Sequence, residues 1–209
     1  MVACARLRGR AGCADECGGG RWGRVGYAGY APVGVLFDLG AEVAFLAVVG
    51  LQALGAGPAW DRVAVVRYPT RRSFIEMQSR EDFRERHVHK EAGMAATIVM
   101  GCRPMEVPAL PDGVVEVDWA DVPHPPTDDD GPMMVIHVLS FNDPDGAERT
   151  PDHMSAYQRV AAESAAAQGI RIAGWFSVEG TILGDGRQWH QVRFNGFPSR
   201  RAFMAVVND

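Results

Sequence analysis

A chain that carries one long pattern twice must fold in a way that accommodates two copies of a single unit. "WDRVAVVRYPTRRSF", starting at Trp60, and "WHQVRFNGFPSRRAF", starting at Trp189, share W-x-x-V-x-x-x-x-[YF]-P-[TS]-R-R-[SA]-F. A shift of 129 residues extends the match without a gap from Gly40 over Gly169 to Arg80 over Asp209, with 12 identities in 41 pairs. The identities include Gly40, Gly55, Gly57, Trp60, Pro69 and Phe74, which lie over Gly169, Gly184, Gly186, Trp189, Pro198 and Phe203. Chance similarity rarely keeps Gly, Trp and Pro in one register, so the chain is read as an internal duplication.

Each copy then has a physical reading. "MMVIHVLSF" (133–141) is a β-rich apolar run and predicts a buried strand. "MSAYQRVAAESAAAQG" (154–169) predicts a helix ending at a glycine cap. "IRIAGWFSVEGTILG" (170–184) predicts a long strand, or two joined by a bulge at Gly180. "WHQVRFNGF" (189–197) predicts the next strand, and a helix starts at Ser199. In the first copy that helix and its continuation run from Thr70 to about Gly93, and "ATIVMGC" (96–102) is a fourth strand. The order β-α-β-β-α-β is that of a ferredoxin-like unit.

The first copy begins poorly: residues 4–12 align with a strand but make a weak strand sequence. Residues 103–131 are rich in Pro and Asp and read as a linker. The organisation is a first unit over 1–102, a linker over 103–131 and a second unit over 132–209 that lacks its last strand. The missing strand predicts an open edge. The V-V-x-V pattern in "GVVEVDWADV" (113–122) makes the linker the expected cover.

The repeated junction has a local cause. Proline ends the strand because it cannot donate to a ladder. Thr70 or Ser199 is the expected N-cap, and Pro69 with Phe74, like Pro198 with Phe203, has hydrophobic-staple spacing. The paired arginines that follow oppose the helix dipole. Arg72 can reach Glu76 at i+4, whereas Arg201 has Ala205 there.

Composition narrows the function. Hydrophobic residues make up 47% and charged residues 22%, enough for a buried core. The net charge of −5 argues against a nucleic-acid partner. Lys90 is the single lysine, which points to GC-rich bacterial coding rather than to chemistry. Cys4, Cys13, Cys17 and Cys102 match no zinc spacing and read as reduced cytosolic thiols. No apolar stretch follows the N-terminal arginines, so no signal peptide is expected. The run at 41–57 is short for a membrane span and contains Glu42 and Gln52. The expectation is a cytoplasmic protein with no membrane partner.

Two such units resemble the dimeric α+β barrel superfamily, and within it small bacterial proteins of the DUF1330 and EthD-like kind. The resemblance is carried by "WDRVAVVRYPTRRSFIEM" with "HKEAGMAATIVMG", and by "WHQVRFNGFPSRRAFMAVV". It implies an α+β fold in which tandem ferredoxin-like units pack as a barrel, often with a ligand inside; a homodimer also fits. Relatives include cofactor-free monooxygenases, isomerases, polyketide cyclases and haem enzymes, so the fold alone does not choose a reaction.

Candidate residues follow from chemistry. His137 lies in an apolar strand and is the candidate general base; the plain alternative is a buried, hydrogen-bonded histidine. Arg67, Arg193 and Asn195 interrupt apolar strands, and with Tyr68, Trp175 and Glu179 they form the candidate ligand-binding set. The plain alternatives are a solvated sheet face and, for Trp175, core packing. His87 and His89 are two apart on a predicted helix and face different ways, so no metal site is expected. No phosphate-binding, dinucleotide-binding or nucleophile-elbow motif is present in the sequence, and no cofactor is expected. The expected function is small-molecule binding between the units, either by a cofactor-free isomerase, cyclase or monooxygenase or by a non-catalytic binding protein. Haem is a third option.

Overall fold

The computed structural model describes residues 1–7, 33–52, 59–110, 112–143, 145–146 and 149–208. Cys13 and Cys17 lie outside these residues. The described chain is α+β, and its assigned strand pairs within each unit are antiparallel. No helix among the described residues is long and apolar enough to cross a membrane. The chain divides into two compact units, Met1–Gly101 with Thr181–Gly186, and Cys102–Gly180 with Arg187–Asp209.

The first unit contains β1 (Val2–Leu7), α1 (Val33–Asp38), β2 (Glu42–Val48), β3 (Arg62–Arg67), α2 (Arg71–Ser79), α3 (Glu81–Gly93) and β4 (Met94–Pro104). Its strand order is β2-β3-β1-β4. Within the weak N-terminal sequence Val2–Leu7 is therefore a true strand, held from both sides, and residues 8–12 lie outside the described residues. Cys4 lies opposite Val63 on β3 and Ile98 on β4. Two ladders compensate for the poor propensity of small residues, because strand preference depends mostly on context. Val35, Leu36, Ala41, Met77 and Phe83 form a core, with Val66, Tyr68 and Phe74 packed on it. The helix expected from Thr70 to Gly93 is broken at Arg80, whose ψ of 139° is extended. The Arg80 guanidinium binds Asp82 at 2.7 Å and Asp38 at 3.2 Å across that break.

The second unit contains β5 (Met133–Leu139), α4 (Asp152–Ala167), β6 (Arg171–Leu183), β7 (Gln191–Phe197) and α5 (Arg200–Asn208). Its strand order is β6-β7-β5. The sequence register recurs in its internal geometry. α2 and α5 span 71–79 and 200–208. Thr70 accepts from Ser73 N at 3.0 Å, and Ser199 accepts from Ala202 N at 3.1 Å. Gly40 and Gly169 both take positive φ, at 67° and 73°. Even the bulge repeats, between Val43 and Phe45 on β2 and between Ile172 and Gly174 on β6. Of the two arrangements expected for this run, β6 is the single long strand, Arg171–Leu183. The staple also shifts by one residue. Phe74 packs edge-on against Tyr68 at 5.3 Å, and Phe203 against Phe197 at 5.4 Å.

The linker does not act as a strand. Residues 113–122 have no ladder partner among the described residues, so the expected cover of the open edge is corrected. The segment lies instead against the start of β6. Trp119 Nε1 donates to Gly169 O at 2.6 Å, Arg171 Nη2 donates to Val117 O at 3.2 Å, and the Arg171 guanidinium sits 4.8 Å over the Trp119 ring. Further on, Asp130 accepts from Arg200 N at 2.8 Å, Arg201 N at 3.2 Å and Arg201 Nε at 3.0 Å. A linker carboxylate thus caps α5 and offsets the arginines in its first turn. Those backbone bonds, with the arginine beside them, hold the Asp130 carboxyl below the usual range.

Candidate functional site

In the second unit β7 is buried along nearly its whole length, although it carries polar residues. Gln191 is fully buried and Arg193 is 4% exposed. A guanidinium in such a place needs partners. Arg193 donates to Gln191 Oε1 from Nε at 3.1 Å and from Nη2 at 2.6 Å, and to Thr150 Oγ1 at 3.3 Å. Gln158 of α4, with its amide oxygen turned to the guanidinium, accepts from Nη1 and Nη2. The Trp175 ring lies 4.1 Å beneath the guanidinium carbon. Every one of these partners is neutral, and no carboxylate pairs with Arg193 among the described residues. Burial pushes the guanidinium down to about 10.

Three of the expected site residues meet here. His137 and Trp175 stand opposite Arg193 on its two neighbouring strands, so His137, Arg193 and Trp175 form one row across β5, β7 and β6. Asn195 lies two residues along β7, opposite Val135 and Ile172. The contact with Gln158 puts this row on the face that carries α4. His137 is the exposed residue of β5. Its ring is still desolvated enough to lower its pKa, and the Arg193 charge lowers it further.

The remaining expected residues are engaged elsewhere. Arg67 forms an exposed ion pair with Glu42 at 2.8 Å. Tyr68 packs in the core of the first unit and donates to Met77 Sδ at 3.2 Å. Glu179 pairs with Arg103 at 2.9 Å. Sequence reasoning passed over Gln191, Thr150 and Gln158. His190 is buried as well: it is 3% exposed, accepts from Phe141 N at 2.8 Å and stacks on the Phe141 ring. Only the polar-polar alternation Gln191-Val192-Arg193 hinted at the network.

The lowered pKa of His137 predicts a titration. The folded ring should lose its proton at a lower pH than an ordinary imidazole. The unfolded chain then binds that proton more tightly, so this contribution to stability is present above the ordinary pKa and is lost as pH falls toward the folded value. Arg193→Gln should move the His137 midpoint only part of the way back, because desolvation is the larger cause. Ring-proton NMR across pH 4–9 reads both effects, and an ordinary His137 midpoint would disprove them.

No family model and no curated protein matches this chain. Among solved structures, it is similar to RPA0582, a protein of unknown function from Rhodopseudomonas palustris. The identity is 29% over 46% of this chain and 73% of that one, with a TM-score of 0.39. Methylated RPA0582 gives 27% identity over 54% and 80% of the respective chains, with a TM-score of 0.39.

Proposed function

We propose that this is a small-molecule-binding protein built of tandem ferredoxin-like units of the DUF1330 and EthD-like α+β barrel kind, whose ligand presents an anionic oxygen group to Arg193. The carrying observation is a contrast within the repeat. At equivalent register the first unit pairs Leu46 with Ala64, where the second pairs Trp175 with Arg193. The next position is Val66 in the first unit, packed on the core, and Asn195 in the second. In the first unit this row is apolar, with Ala64 and Val66 partly buried and Leu46 exposed. Converting it to a desolvated cation on an indole costs stability unless something rewards it. A carboxylate is the natural reward, because a guanidinium binds it in a planar fork. Its oxygens would take over the Nη positions now satisfied by Gln158, Thr150 and Gln191, while Gln191 keeps Nε.

A second reading, catalysis, is favoured by His137. Its lowered pKa leaves the ring neutral near pH 7, where it can accept a proton from a substrate whose anion sits on Arg193. A cofactor-free isomerase, cyclase or monooxygenase could use that pair. The acidic net charge of the chain supports a small ligand rather than nucleic acid.

The test is a thermal-shift and calorimetric panel of aliphatic and aromatic carboxylates, each beside its neutral amide. Carboxylates should raise the melting temperature saturably in the wild type and not in Arg193→Gln. Equal binding of the amides, or no carboxylate response at all, would overturn the proposal.

A further inference from the structure

Trp175 carries a polar atom that the fold does not use. The residue is 7% exposed, and its indole Nε1–H is buried with no hydrogen-bond partner among the described residues. Its backbone is fixed on both sides. Trp175 pairs with Arg193 across β6 and β7, and its carbonyl accepts from Met105 N at 2.8 Å. A buried N–H left unsatisfied costs stability, and native structures rarely keep one without cause. The acceptors of the surrounding network are already committed. Gln191 Oε1, Thr150 Oγ1 and the Gln158 amide oxygen all accept from Arg193.

Stacking does not account for the N–H. The ring lies 4.1 Å from the guanidinium carbon, and any aromatic face attracts a cation there. A phenyl ring would do so without burying a donor. The repeat does not account for it either. Trp189 also buries an unpartnered Nε1–H, but an indole recurs in the first unit at Trp60. Trp175 lies over Leu46 instead, so the indole and Arg193 are departures from the repeat within one row of one unit. A neutral donor placed beside a cation fits a ligand that carries a neutral acceptor beside its anionic group.

We propose that the ligand of the Arg193 site is an oxygenated carboxylic acid, a hydroxy- or oxo-acid, whose carboxylate meets Arg193 and whose second oxygen accepts from Trp175 Nε1–H. This rests on the reading of Arg193 as an anion site. The short separation of ring and guanidinium keeps the second oxygen close to the carboxylate, on the first or second carbon beyond it. A site that buries a donor for that oxygen rejects the analogue lacking it, because the N–H then stays unpaired.

The experiment compares butanoate with its 2-hydroxy, 3-hydroxy and 2-oxo derivatives, which keep the carboxylate and the carbon chain. Calorimetry on the full chain should give at least one derivative a Kd at least about fivefold below that of butanoate. In Trp175→Phe the ratio of those two constants should fall to within about twofold of one, whatever the substitution does to butanoate itself. Proton–nitrogen correlation spectra of the wild type read the same contact without a variant. The Trp175 indole resonance should move downfield with the preferred derivative and stay in place with butanoate. Equal binding of butanoate and its derivatives, a preference that survives in Trp175→Phe, or an unmoved indole resonance overturns the inference and leaves the Arg193 reading standing. If no carboxylate binds, or if Arg193→Gln binds butanoate as the wild type does, both fall.

Discussion

Phe194→Ala is expected to destabilise the protein by about 3–5 kcal/mol, the range for deleting a buried aromatic side chain. Phe194 is 4% exposed on β7, with Ile136 opposite it on β5 and Gly174 opposite it on β6. Phe176 meets its ring edge-on at 5.7 Å. Neighbours on both strands fix the backbone, and Gly174 has no side chain to collapse into the space. The lost contacts therefore become a cavity rather than a relaxed core. Urea unfolding at 25 °C should show the loss as a lower midpoint with an unchanged slope. Ile75→Ala, at a position 62% exposed, should change stability by no more than about 0.5 kcal/mol. A Phe194→Ala loss near that of Ile75→Ala would show that the core of the second unit is not packed around β7.

Gly169→Ala should cost about 2–4 kcal/mol for two separate reasons. Its φ of 73° disfavours any residue with a Cβ. The added Cβ would also stand 2.7 Å from Val122 Cγ1 and 3.1 Å from Trp119 Cδ1. Gly186→Ala separates the two effects. Its φ is 83°, but nothing lies within 4 Å of the added atom, so only the conformational cost of about 1 kcal/mol remains. The clash should be partly relieved in a Gly169→Ala, Val122→Ala double variant, whose loss should fall short of the sum of the single losses. Strict additivity would remove the contact between linker and cap from the account.

These two positions differ in how well the sequence announced them. Phe194 stands inside a β-rich run, and period and propensity sufficed. Gly169 was legible as a helix cap because a glycine recurs at Gly40. Its contact with Trp119 was not legible, since nothing local links residue 119 to residue 169. The candidate site divides the same way. His137, Trp175 and Arg193 stood out as polar or aromatic interruptions of strands, but their alignment in one row depends on the register of three strands. Gln158 and Thr150 reach that row from a helix and a loop whose own sequences are unremarkable.

The duplication, the helix caps at Thr70 and Ser199, the strand ends before Pro69 and Pro198 and most element positions were determined by the sequence itself. Each rests on interactions within a few residues, which local pattern records. The tertiary structure decided what depends on distant partners. It made a strand of Val2–Leu7 by flanking it with two others, and it broke the long helix at Arg80, where Asp38 and Asp82 meet the guanidinium. It tied the linker to β6 and α5 rather than to the β5 edge, because Trp119 and Asp130 found a carbonyl and helix N–H groups that their own neighbours could not supply.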